Sequence, residues 1–149
     1  MKVVLDTGIL GQICHPNTEE NKSIHEWFAS LLDNGDTEVY IPEIVDYELR
    51  RKLLHMIASN RGGKKSLDRL NDLVSNLDYI KITTEIMRNA AALWAEARSK
   101  GIASADEKNI DGDIIIAVQA KSVDGLVVTS NSKHLSKYVE ARNWTELAS

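Results

Sequence analysis

The chain has 149 residues, 43% of them hydrophobic, enough for one sizeable core and too few for two full domains. With 27% charged residues, two prolines and no low-complexity stretch, it is not a disordered chain. Its formal charge of −4 argues against nucleic-acid binding through phosphate neutralisation alone.

In chain order, Val3-Val4-Leu5-Asp6 reads as a first strand, and a helix over about Gly8 to Cys14 ends before Pro16. Ile24, Trp27, Phe28, Leu31 and Leu32 recur at helical spacing over Glu19 to Leu32, and Asn34-Gly35 supplies the stop. Val39-Tyr40-Ile41 is a second strand. Pro42 suits the first turn of a helix carrying Val45, Leu49, Leu53 and Met56. After Arg61-Gly62-Gly63 come a helix over Ser66 to Asn76, a strand over Tyr79 to Ile82, and a helix over Glu85 to Lys100 that Gly101 ends. The last third holds an acidic loop, a helix over Gly112 to Val123 and the strand Leu126 to Thr129. Asn143-Trp144-Thr145-Glu146-Leu147 is read as an edge strand.

Short β-branched runs alternating with long helices predict an α/β fold: one domain over residues 1–149, with a central parallel sheet of about four to five strands between helices. No apolar run approaches the roughly 20 residues that span a bilayer, and a strand starts at the N-terminus, so a soluble, cytoplasmic protein is expected. Cys14 has no second cysteine to pair with and is read as a packing residue. Arg50-Arg51-Lys52 and Arg61-Gly62-Gly63-Lys64-Lys65 concentrate positive charge in one region of an otherwise acidic chain.

In open parallel sheets ligands gather beyond the carboxyl ends of the strands, which selects four positions. Asp6 closes an apolar strand, where an unpartnered carboxylate is costly; it serves either as a metal ligand or as a helix cap. Glu48 borders the buried face of the Pro42 helix and can lean into the crevice or remain on the surface. Glu43 and Asp46 are its rivals, though the helix dipole alone explains an acid at Glu43. Asp113 lies with Ile116, Ala117 and Ala120 on an apolar helix face, where acids seldom sit without a partner, while Asp111 is the expected N-cap. Asn131 follows the strand ending Thr129-Ser130 and can complete a polar shell or simply make a turn. His134, one helical turn later, reads as a surface or partner-facing residue. Three carboxylates brought together would repel one another, whereas Mg²⁺ or Mn²⁺ takes oxygen ligands and keeps them ionised. Such an ion, or a pair, can activate water for attack on a phosphodiester.

Val3-Val4-Leu5-Asp6-Thr7, Tyr47-Glu48-Leu49-Arg50, Asp113-Ile114-Ile115-Ile116-Ala117 and Val128-Thr129-Ser130-Asn131 together resemble the motifs of PIN-domain proteins, in particular the VapC-like toxins of type II toxin–antitoxin systems. The resemblance implies a Mg²⁺- or Mn²⁺-dependent endoribonuclease, with Asp6, Glu48 and Asp113 as metal ligands and Asn131 supporting the shell. It also implies an RNA substrate, a small antitoxin partner and a homodimer. Gly8 stands where the family usually has Asn, Asn131 where many members have Asp, and His134-Leu135 in place of Asp-Phe. Two other readings are carried forward. One is a non-catalytic module of the same fold. The other is an aspartate-based phosphoryl-transfer enzyme built on Asp6-Thr7-Gly8, which lacks the second Asp that haloacid-dehalogenase-like phosphatases have two positions later.

Overall fold

The computed structural model describes residues 1–101 and 107–148, with backbone alone for 107–110. At its centre lies β1 (Lys2–Leu5), between β2 (Glu38–Pro42) and β4 (Leu126–Thr129); β3 (Asp78–Ile80) and β5 (Ala141–Asn143) form the edges. Every neighbouring pair is parallel, with Val4 opposite both Tyr40 and Val127. A parallel sheet is covered on both faces, which explains why Val3, Val4 and Leu5 form an unbroken apolar run and are wholly buried. Both edge strands have only three residues, and short edges resist pairing with other chains.

The helices α1 (Thr7–Cys14), α2 (Lys22–Asp33), α3 (Glu43–Ala58), α4 (Lys64–Asn76), α5 (Thr84–Ser99) and α6 (Glu107–Ser122) make the crossovers that parallel strands require. Two one-turn helices follow, α7 (Ser132–Leu135) and α8 (Trp144–Leu147). Ile24, Trp27, Phe28 and Leu31, the helical stripe of the sequence, are the buried residues of α2. Helix α1 packs against α2, α3 and α4, while α5 lies along α6. Among the described residues no helix is long and apolar enough to cross a membrane.

The predicted α/β sandwich with a parallel sheet is the observed architecture, with five strands. Several boundaries differ from expectation, and β3 covers Asp78–Ile80 where the sequence predicts Tyr79 to Ile82. Asn143 to Leu147 is not a strand: pairing ends at Asn143, whose side chain accepts the Thr145 N–H (3.1 Å) and caps α8. The Trp144 ring packs against Trp27 with centroids 5.9 Å apart, so burying the indole favours turning the chain here over extending the edge. Pro42 ends β2 and precedes α3 rather than lying inside the helix. Asp111 is not an N-cap, because α6 begins at Glu107, a turn earlier, and carries Asp111 within it. Most of the acidic loop, residues 102–106, lies outside the described residues.

Four polar contacts fix how α3 sits on the sheet. Gln119 of α6, fully buried, accepts the Ile44 N–H (3.3 Å) and donates to the Ile80 carbonyl (2.6 Å). Glu43 accepts the Ile82 N–H (2.7 Å) and Asp46 accepts the Tyr79 hydroxyl (2.7 Å). The two acids that rivalled Glu48 in the sequence are thus committed to the β3 side of the helix.

Candidate metal centre at the strand ends

The chain leaves β1 toward β2 on one side of the sheet and leaves β4 toward β5 on the other, so a crevice opens between their carboxyl ends. Asp6 is the first residue beyond β1. Its Oδ1 accepts the Thr7 N–H (2.8 Å), capping α1, and its Oδ2 accepts the hydroxyl of Thr129, the last residue of β4 (2.6 Å). The cap reading of Asp6 is therefore observed, and its second oxygen is aimed across the strand ends toward Thr129. Thr129 is fully buried, and its Oγ1 also accepts the Asn131 N–H (3.0 Å), tying the loop after β4 to the same point.

Glu48 comes from the second turn of α3. Its Oε1 accepts the Thr7 hydroxyl (3.2 Å), so Thr7 bridges two acids, one through its amide and one through its side chain. Asp113 comes from α6, where the backbone runs close: a Cβ on Gly112 would lie 3.3 Å from Glu48 Oε2. Asp113 Oδ2 pairs with His134 Nε2 at 2.8 Å. Asp6, Glu48 and Asp113 line one cavity of about 680 Å³, together with Asn131, His134 and Arg51. A larger groove of about 810 Å³ runs between β3, α5 and α6, but these acids lie outside it.

Burial pushes the Asp113 carboxyl up to about 6; the charges of Asp6 and Glu48 push the same way, and His134 opposes them. Burial also raises Glu48, with Asp6 adding to the shift and the Thr7 hydrogen bond and Arg51 working against it. Acids that raise one another's pKa in a half-buried crevice form a site whose charge favours a cation. Among the described residues no group of three or more His, Cys, Asp or Glu side chains lies close enough together to hold a metal ion; each of these carboxylates is engaged by Thr7, Thr129 or His134. The potential metal donors lining the cavity are mostly carboxylate and amide oxygens, with the His134 imidazole beside them and no thiol, a set that fits a hard divalent cation better than a thiophilic one.

The sequence reading missed four contributors. Thr129 and Thr7 orient the carboxylates. His134, read as partner-facing, turns toward Asp113 because α7 begins directly after the β4 loop. Arg51 separates from its neighbours in the basic run: Arg50 is held by Asp46 (3.0 Å) and Asn71 (2.7 Å), Lys52 lines the groove on the α1 side, and Arg51 turns to the acidic cavity. One signal for Thr129 was present in the sequence: it closes the Leu126 strand as Asp6 closes the first. The pairing of Leu5 with Val128 brings the two ends together.

Residues 3–140 match the family model of the PIN domain. A comparison with curated proteins found no match. Among solved structures, the chain is similar to VapBC2 from Rickettsia felis bound to a DNA fragment from their promoter: 20% identity, 97% of this chain and 99% of that chain covered, TM-score 0.73. It is similar to DNA-bound VapBC from Salmonella typhimurium at 21% identity, with 97% and 98% covered and a TM-score of 0.72. It is also similar to FitAcB from Neisseria gonorrhoeae at 21% identity, with 96% and 98% covered and a TM-score of 0.66. At these identities the likeness speaks for the fold.

Proposed function

The chain belongs to the PIN domain family, and from that premise we propose that it is a metal-dependent endoribonuclease, the toxin of a toxin–antitoxin pair. One observation carries the reading: Asp6, Glu48 and Asp113, far apart in sequence, line a single cavity at the ends of β1 and β4. Asp6, Glu48 and Asp113 would hold Mg²⁺ or Mn²⁺. A hard divalent ion supplies an acidified water and positive charge beside a phosphodiester.

The residues around it have separable duties. Thr7 and Thr129 direct the Asp6 and Glu48 oxygens through hydrogen bonds, the outer support that sets ligand orientation in metal sites. His134 fixes Asp113, and Asn131 borders the cavity where an amide can contact the ion's water or the substrate. No second Asp follows at Gly8, which weakens the aspartyl-transfer alternative. VapBC assemblies of like fold support a small antitoxin as partner, and we extend the proposal to a homodimer in the cell's cytoplasm.

The test uses purified protein and a labelled RNA. Wild type cuts only with added Mg²⁺ or Mn²⁺; Asp6→Asn and Asp113→Asn lose the cutting and the calorimetric ion binding while keeping a cooperative melt. Undiminished cleavage by either variant refutes the assignment, and a wild type that binds no ion at millimolar concentration favours the non-catalytic module.

A further inference from the structure

A cavity lined by Asp6, Glu48, Asp111 and Asp113 repels the phosphates of the substrate it would cut. Among the described residues lining it, Arg51 carries the one permanent positive charge. Its guanidinium carbon stands 5.1 Å from the centroid of the Tyr47 ring, one helical turn back on α3, and its charge also acts on Glu48. Tyr47 lines the same cavity and is 56% exposed, a large aromatic surface left in water on the rim of a site otherwise built of acids. The neighbouring cation Arg50 is bound by Asp46 and Asn71, so the Tyr47–Arg51 pair is set apart from the interactions that anchor the helix.

An aromatic face next to a guanidinium is what an unpaired nucleotide needs, since every base has a π-face and every linkage has a phosphate. A base held in a duplex keeps its faces stacked on its neighbours and offers none to a side chain. Resting on the nuclease reading above, we propose that Tyr47 and Arg51 form the nucleotide seat of the cleft: an unpaired RNA base stacks on the Tyr47 ring and Arg51 binds an adjoining phosphate. The seat lies on the same helix as Glu48, one residue before it and three after, so a nucleotide held there delivers its neighbouring phosphodiester to the carboxylates. Single-stranded segments are then the preferred substrate, and α3 carries both the seat and one acid of the cutting site. An Arg over a Tyr at i,i+4 also steadies an exposed helix slightly, a role that makes no demand on RNA.

Fluorescence anisotropy of a short, unstructured, fluorescein-labelled RNA, measured in EDTA so that nothing is cut, separates the two roles. Tyr47→Ala weakens binding about tenfold, in the range of one lost base stack, while Tyr47→Phe binds as wild type does. Arg51→Gln weakens binding and lowers the slope of log affinity against log salt by about 0.7, the share of one phosphate contact on a single strand. A hairpin stem of the same composition binds more weakly than the single strand to wild type and is insensitive to Tyr47→Ala. Unchanged affinity of Tyr47→Ala for the single strand overturns the seat, as does equal loss in Tyr47→Phe. These outcomes differ from failure of the nuclease reading, in which wild type neither binds nor cuts the RNA.

Discussion

Thr129 is the side chain whose removal separates orientation from coordination. It is fully buried, donates its hydroxyl hydrogen bond to Asp6 and accepts from the Asn131 amide. Thr129→Val keeps the shape but takes away the donor to a carboxylate and the acceptor for an amide. Lost outer-shell partners cost metal sites about 10–100-fold in affinity or activity. The expected result is cleavage down by that factor, with a melting temperature lowered by a few degrees at most; activity equal to wild type would remove Thr129 from the site. Cys14 makes a contrasting case. It is buried in α1, and desolvation pushes its thiol up to about 12, so almost no thiolate exists at neutral pH. Native protein should resist iodoacetamide for hours and react fully once unfolded in guanidinium, a difference read by mass spectrometry.

At the scale of elements, the position of α3 decides where Glu48 points, and Gln119 is its firmest tie. Its amide spans the Ile44 N–H and the Ile80 carbonyl without exposure to water. Gln119→Leu fills the space but strands two backbone groups in the core, each costing about 1–3 kcal/mol, so urea denaturation should show a loss of about 2–6 kcal/mol. An unaltered midpoint would mean that water replaces the amide. Such ties were not legible in the sequence: a glutamine between Val118 and Ala120 gives no sign of its partners, 75 and 39 positions away. The strands were legible because burial on both faces demands unbroken apolar runs, and Asp113 because a carboxylate on an apolar helix face needs a reason. Glu48 was less distinct from Glu43 and Asp46, since all three lie on one helix and only β3 shows which two are occupied. The tail was misread because one asparagine cap and one indole contact outweigh strand propensity over five residues.

At the scale of the whole molecule, the acidic crevice opposes folding unless a cation is present, and pH exposes the conflict. The folded-state pKa of Asp113 is raised from 3.8 to about 6, and Glu48 is raised also. A raised carboxyl binds its proton more tightly in the folded chain. Its contribution to stability is therefore fully present below the ordinary value of 3.8, and it is lost as pH climbs through about 6. In EDTA, Asp113→Asn, which never ionises, should gain stability relative to wild type across that interval, with the sign reading upward in pH. On the proposed metal site, adding Mn²⁺ should reverse the order, because the ion would bind the ionised carboxylates of wild type. At a hundredfold excess over its dissociation constant it contributes about 2.7 kcal/mol, or roughly 5–10 °C in melting temperature for a domain of this size. The variant should show little of that rise, and the rise in wild type should shrink as pH falls below 6 and protons compete for the ligands. Parallel melting curves for the two proteins at every pH, with and without the ion, would mean that the carboxylates neither feel one another nor share a cation.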